Sequence, residues 1–180
     1  KKIFITGHTG FQGSWLTLWL KSLGAKVTGY SLSSPTNPSL FEILHLEKDI
    51  NHISGDVRDS SFLQKCMKKY KPDIVFHLAA QSLVRYSYEK PVDTFHTNIM
   101  GTVNLLEAIR NTSSVKTGII VTSDKCYENK EWNFAYREND SLGGFDPYSA
   151  SKGATEIVTS SYNRSFFHSN KKNGEIGIAT

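Results

Sequence analysis

Three glycines at three-residue spacing, Gly7, Gly10 and Gly13, stand between an apolar run, Ile3-Phe4-Ile5, and a stretch carrying Trp15, Leu16, Trp19, Leu20 and Leu23 at helical intervals. Strand, glycine loop and helix in that order leave few folds open. Glycine lets the backbone turn sharply, approach a ligand and seat a helix on a sheet, while the first turn of the helix offers free N–H groups and the positive end of its dipole. The segment Gly7-His8-Thr9-Gly10-Phe11-Gln12-Gly13 therefore suits the pyrophosphate of a dinucleotide. Gly24 then stops the helix.

The rest of the chain keeps alternating. Short β-rich runs at residues 26–31, 50–54, 74–77, 118–123 and 176–180 are separated by helical patterns at 40–46, 60–71, 93–110 and 148–167. Alternation of this kind predicts an α/β fold, a Rossmann-type doubly wound parallel sheet with helices on both faces. At 180 residues it is one domain by length. Phe62, Leu63, Cys66, Met67 and Tyr70 form the buried side of the 60–71 helix, so Cys66 reads as core. The 93–110 helix has Ile99, Val103, Leu106 and Ile109 in one stripe, part of which could serve an oligomer interface.

Bulk properties exclude several function classes. The formal charge of +4 comes from scattered lysines, with local groups at 65–71 and at Lys171-Lys172, which suits a small anionic ligand better than nucleic acid. Two cysteines, Cys66 and Cys126, make no disulfide framework, and His and Cys never fall at metal-ligand spacing. Apolar runs are too short to span a bilayer, and Lys1-Lys2-Ile3-Phe4 enters a strand without a signal-peptide pattern, so a cytoplasmic enzyme that leaves membranes alone is expected. Residues 176–180 read as a strand cut in mid-element, and the expectation is the N-terminal part of a longer chain whose remainder completes the substrate site.

Polar residues gather where strands end. The run ending at 123 delivers Ser123, Asp124 and Lys125 in succession. The strand at 74–77 leads into Leu78-Ala79-Ala80, whose alanines let a ligand approach the backbone, and then into a polar, basic loop with Gln81, Ser82, Arg85, Tyr86 and Ser87 that could wall a substrate. His77 reads as a satisfied core histidine. After the third strand, Asp56 and Val57 could meet an adenine, or Asp56 could cap the next helix. No acidic residue closes the second strand to hold ribose hydroxyls; Ser31 and Ser33 are possible substitutes, and no arginine stands there to receive a ribose phosphate. The stretch 126–147 is irregular and aromatic, with Tyr127, Trp132, Phe134 and Tyr136, as a lid or binding loop would be. Tyr148 and Lys152, four apart on one helical face, can form a general base, since a nearby ammonium favours the phenolate.

Glycine loop, Ala79-Ala80, Asn98, Ser123, and Tyr148 with Lys152 together resemble the extended short-chain dehydrogenase/reductase superfamily, in its sugar-nucleotide-modifying branch. Residues 7–19, 35–42, 77–85, 122–129 and 146–152 are similar, more narrowly, to nucleotide-sugar 4,6-dehydratases. The resemblance implies NAD as cofactor, a small nucleotide sugar as substrate, and a homo-oligomer, dimer or tetramer. It places Gly7, Thr9, Gly10, Phe11, Gln12 and Gly13 on the cofactor, with Asp56, Val57, Leu78, Ala79, Ala80, Asn98, Tyr148 and Lys152. Gln81, Ser82, Arg85 and Ser123 would meet the substrate. Ser123 would orient the hydroxyl to be oxidised, Tyr148 would take its proton, and Lys152 would lower the phenol pKa; Asp124 would protonate a departing hydroxyl. Lys125 stands where related dehydratases carry a glutamate, and it could act as a base, which requires its neutral form, or as a charged stabiliser of an enolate. A 4-epimerase would use the same Ser, Tyr and Lys without an Asp124–Lys125 pair, and a non-catalytic redox-sensing module would need none of them.

Overall fold

The computed structural model describes residues 1–167 and 176–180. In chain order the elements are β1 (Lys2–Thr6), α1 (Phe11–Ser22), β2 (Lys26–Ser31), α2 (Leu40–Ile43), β3 (Asn51–Ser54), α3 (Ser60–Tyr70) and β4 (Ile74–His77). Then follow α4 (Val84–Glu89), α5 (Pro91–Phe95), α6 (Gly101–Arg110), β5 (Thr117–Ile120), α7 (Pro147–Tyr162) and β6 (Gly177–Ala179). All six strands are parallel, in the order β3-β2-β1-β4-β5-β6. The order reverses between β1 and β4, and at such a switch point a crevice opens above the carboxyl ends of the strands.

Alternation along β1 explains the two covered faces. Phe4 points into a core with Tyr30, Leu63, Met67, Leu105, Leu106, Ile109 and Ile120, under α3 and α6. Ile3 and Ile5 point the other way, against Val27 with Leu16 and Leu20 of α1. A strand apolar on both sides can only be central, and β1 is. Leu16 and Leu20 turn inward, whereas Trp15, Trp19 and Leu23 lie exposed on α1. Cys66 is buried in the first core, as its helix pattern predicts. The basic group at Lys171-Lys172 lies outside the described residues, among which no helix is long and apolar enough to cross a membrane.

Four elements differ from the sequence expectation. The 40–46 helix is a single turn, α2, broken by His45 at φ 49° before a 3₁₀ turn at Leu46–Lys48. The basic stretch after Gln81 is not a loop throughout: Arg85, Tyr86 and Ser87 belong to α4. Its start is fixed by the Gln81 side chain, which accepts from Leu83 N–H at 2.6 Å and donates to the Leu83 carbonyl at 3.1 Å. The 93–110 helix starts earlier, at Pro91, and carries a wide π-helical turn, His96–Met100, between α5 and α6. Finally, β5 stops pairing at Ile120, and 121–123 leave the sheet in extended form, held first by Val121 N–H to the His77 carbonyl at 3.0 Å.

Candidate active site

The glycine loop bridges β1 and α1 directly over the switch point. Gly7, at φ +76°, lies so close to β4 that a Cβ there would sit 2.6 Å from Ala79 N, and a Cβ on Gly13 would sit 2.1 Å from the Gly7 carbonyl oxygen. Any side chain would push α1 off the loop and the loop off the strand. Gly10 is the N-cap of α1 and offers no side-chain cap, so the first N–H groups of the helix, at Phe11, Gln12 and Gly13, remain available to an anion. These features fit a dinucleotide's pyrophosphate: a backbone-lined cradle and an uncapped helix start.

Other positions assigned to the cofactor from sequence also make hydrogen bonds within the protein. Thr9 hydrogen-bonds the Ser31 hydroxyl at 2.8 Å and donates to the Leu32 carbonyl at 3.0 Å, tying the loop to the end of β2. Ser31 is thereby occupied and is a poor substitute for a ribose-binding acid; Ser33 lies exposed. The Asp56 carboxylate accepts from Arg58 N at 2.9 Å, from its Nε at 2.9 and 3.0 Å and from Nη2 at 2.5 Å. Those contacts fill its lone pairs and hold its pKa below the usual carboxylate value. Asp59, not Asp56, caps α3. Arg58 also reaches Asp93 of α5, a clamp that sequence reasoning missed although Arg58 stands two residues away. The Val57 side chain is in the core and its carbonyl accepts from Asn104 Nδ2 at 2.9 Å.

Under the crevice floor runs a buried polar chain. Thr6 Oγ1 receives Ala79 N–H at 3.3 Å and lies 2.6 Å from His77 Nδ1, while His77 Nε2 lies 3.1 Å from Thr102 Oγ1. Thr102 spends its proton on the Asn98 carbonyl at 2.7 Å, so it accepts from His77 Nε2–H, and His77 Nδ1 accepts from Thr6. His77 is a satisfied core histidine, as expected, and burial pushes its pKa down to about 3. Asn98, 2% exposed in the π-helical turn, is also spent internally. Its Oδ1 accepts Gln81 N–H at 2.8 Å, and its Nδ2 donates to the Gln81 carbonyl at 3.0 Å and to Ser151 Oγ at 2.8 Å. It therefore locks the 78–81 segment to α7. The Gln81 side chain bonds Leu83 and Thr94; Ser82 and Arg85 are exposed.

α7 begins on a strong local signal. Asp146 caps it, accepting from Ser149 N at 3.0 Å and Ser149 Oγ at 2.6 Å, and Pro147 occupies the first helical position. This places Tyr148, 8% exposed, in the first turn and Lys152, 6% exposed, one turn on. Lys152 Nζ donates to the Val121 carbonyl at 3.2 Å, tying the Tyr-Lys face to the end of β5. Burial lowers the Lys152 pKa to about 8, against the opposing charge of Glu156. Ser123 caps a one-turn 3₁₀ segment, Asp124–Cys126; its hydroxyl donates to Asp124 Oδ1 at 2.9 Å and accepts from Lys125 N at 3.2 Å. Asp124 and Lys125 are exposed. A cavity of about 630 Å³ opens beside them, lined by Thr122, Ser123 and Asp124 from one side and by Glu156 and Thr159 of α7, with Asn163 just past its end, from another. Over it the 127–142 stretch is organised rather than loose: Tyr127 stacks on Tyr136 at 5.3 Å, and Trp132 packs on Tyr136 at 5.6 Å.

Comparison with known proteins agrees with this geometry. A CDP-glucose 4,6-dehydratase of Salmonella typhimurium is 51% identical over all of this chain and 50% of its own length. A dTDP-D-glucose 4,6-dehydratase of Dictyostelium discoideum is 33% identical over 92% of this chain and 41% of its own. The chain thus spans about half the length of the curated relatives it matches. Among solved structures, the UDP-glucose 4-epimerase of Thermotoga maritima with UDP-glucose superposes with a TM-score of 0.82 at 27% identity, covering 92% of this chain and 52% of that one. The Thermus thermophilus UDP-glucose 4-epimerase, a complex with NAD, gives 0.79 at 26%, again over 92% of this chain and 52% of that one. The family model described as GDP-mannose 4,6 dehydratase matches residues 4–170, and the chain belongs to that family of extended short-chain dehydrogenase/reductases.

Proposed function

We propose that the protein is an NAD-dependent lyase that dehydrates CDP-glucose to CDP-4-keto-6-deoxy-glucose, a step of deoxysugar biosynthesis, and that this chain is its NAD-binding domain. The observation that carries the reading is the bond from Lys152 Nζ to the Val121 carbonyl, which joins the Tyr148–Lys152 face to the strand exit bearing Ser123, Asp124 and Lys125. The 51% identity to a CDP-glucose 4,6-dehydratase supports the choice of substrate. In support of NAD over a phosphorylated cofactor, β2 runs into Ser31-Leu32-Ser33 without a basic residue. Gly7 to Gly13 would hold the pyrophosphate, Ala79 and Ala80 would lie along the cofactor, and Lys152 would reach the nicotinamide ribose.

Bound NAD supplies a reversible two-electron oxidant that ends the cycle unchanged. This chain's residues move the protons. Ser123 orients the hydroxyl on carbon 4 of the sugar, and Tyr148, one helical turn before the Lys152 ammonium, takes that proton. The ketone so formed acidifies the carbon 5 proton. Asp124 protonates the hydroxyl leaving carbon 6, and water is lost. Lys125, beside Asp124, takes the carbon 5 proton, and the hydride removed from carbon 4 is delivered to carbon 6 once water has left. Arg85 on α4 meets the substrate's anionic part. Exposed Val92 and Phe95 on α5, Met100 in the π-helical turn and Ile157 on α7 support a homo-oligomer, and a nucleotide-sugar substrate with two free cysteines supports a cytoplasmic site. The test is incubation of the full-length protein with CDP-glucose and NAD, with other nucleotide sugars in parallel. A 4-keto-6-deoxy product from CDP-glucose is expected; product from another nucleotide sugar alone would overturn the named substrate, and inverted sugar without loss of water would mean an epimerase.

A further inference from the structure

The helical face that carries Tyr148 and Lys152 continues for one more turn. Glu156 follows Lys152 at the same four-residue spacing, so Tyr148, Lys152 and Glu156 stack along one side of α7. Facing them is the extended exit of β5, and the contacts pair off in register. Lys152 bonds the Val121 carbonyl at 3.2 Å, and the Glu156 carboxylate accepts a hydrogen bond from the Thr122 hydroxyl. Glu156 is half-buried, has one oxygen on Thr122 and lines the cavity beside Ser123. Among the described residues no guanidinium or ammonium, that of Lys152 included, stands within salt-bridge distance of this carboxylate, and Lys152 feels its charge from one turn away.

We propose that Glu156 is a positioning residue for Lys152: its carboxylate, anchored by Thr122, balances the buried ammonium and keeps it aimed at the strand exit where Ser123 stands. The proposal rests on the catalytic reading of Lys152. The other titratable groups around that ammonium do not supply the charge. His77 of β4 is buried neutral, Cys126 of the 3₁₀ turn has its thiol pKa raised by burial, and Tyr148 is the group the ammonium serves. Glu156 is the first of the charges opposing the burial that lowers Lys152 to about 8. Without it the ammonium would lose its proton closer to neutrality, and Tyr148 would lose the positive charge one turn away.

Glu156→Gln tests this, because the amide oxygen still accepts from Thr122 while the charge is gone. Two readouts apply to the full-length protein. First, after reductive ¹³C-methylation, the Lys152 resonance, identified by its loss in Lys152→Arg, is titrated in both proteins; its midpoint is expected to fall by about one pH unit in Glu156→Gln. Second, the pH profile of kcat with CDP-glucose should lose its upper limb by the same amount, with KM little changed, and Glu156→Asp should restore part of the shift. An unchanged midpoint in a folded Glu156→Gln protein would overturn the proposal. Wild-type protein inactive on every nucleotide sugar would defeat the catalytic reading instead, and the titration would still decide whether Glu156 balances Lys152.

Discussion

Lys152 makes a stability prediction with a calculable size. An ammonium only 6% exposed is costly, and here burial lowers its pKa from the ordinary 10.5 to about 8. At about 1.4 kcal/mol per tenfold, that drop corresponds to a penalty of about 3 kcal/mol on the charged form at neutral pH. Lys152→Met removes the charge and keeps an unbranched side chain of similar length. It also forfeits the bond to the Val121 carbonyl, worth about 1 kcal/mol, which leaves a net gain of about 2 kcal/mol. For a folding unit of this size that is a rise in Tm of about 4–8 °C. The pH dependence gives the sharper check. Between about pH 8 and 10.5 the unfolded amine holds its proton while the native one has released it, so wild-type stability rises with pH across that window. The advantage of the Met variant is therefore full below pH 8 and fades toward pH 10.5. Thermal unfolding of cofactor-free full-length protein at pH 7 and at several points up to pH 10 measures both. A Met variant that melts no higher than wild type at pH 7, or whose difference ignores pH, would refute the reasoning.

Tyr148→Phe should leave the fold and cofactor affinity intact and cut turnover by about 10² to 10⁴, the range for loss of a general base, read by single-turnover absorbance of reduced cofactor. Gly13→Ala places a methyl 2.1 Å from the Gly7 carbonyl, an overpacking of about 1–3 kcal/mol, and calorimetric titration with NAD should show affinity lower by about tenfold or more. His8 and His77, buried with pKa values lowered to about 4 and 3, make the fold acid-sensitive. In the unfolded chain both take up protons near pH 6.5, so stability falls as pH drops below that value, by about 2 kcal/mol per histidine at pH 5, and His77→Gln should flatten half of the loss in denaturant titrations.

The fold was legible because its signals are local and periodic. The strand–glycine–helix opening, the two-sided apolar strands and the Asp146-Pro147 start of α7 each carry their meaning within a few residues, and the sheet followed from their alternation. Tyr148 and Lys152 were readable for the same reason, since four-residue spacing alone puts them on one face. Polar residues in loops were less readable, because a side chain's partner there is set by tertiary packing. Thr9, Asp56, Gln81 and Asn98 all looked like ligand-binding groups by position, and each spends its polar atoms on the protein instead. Glu156 passed unnoticed because nothing in its own sequence neighbourhood points to Thr122, 34 residues back. The helix α4 was hidden by its polar composition and is organised from outside by Gln81.

Those internal contacts share a physical cause that bears on mechanism. A crevice that must offer bare backbone to a dinucleotide cannot be stiffened by side chains within it, so the stiffening lies one layer below. Ala79 N–H rests on Thr6, Thr6 on His77, His77 on Thr102, and Thr102 on the Asn98 carbonyl, which also accepts from Thr155 of α7 at 3.2 Å. Through Ser151 the chain returns to the residue preceding Lys152. The floor of the crevice and the helix carrying Tyr148 and Lys152 are therefore one hydrogen-bonded unit spanning β1, β4, the π-helical turn, the start of α6 and α7. The extra residue in that wide turn changes which face of the helix Asn98 presents, and an unbroken α-helix from Pro91 to Arg110 would not hold its amide in this position relative to Gln81 and Ser151. Each link is a neutral group whose donor and acceptor are both used, so protonating His77 would place a new donor, Nδ1–H, against Thr6 and leave the Thr6 hydroxyl proton without its acceptor, while the bond to Thr102 is unchanged. Acid should thus loosen the cofactor floor and the Lys152 helix together.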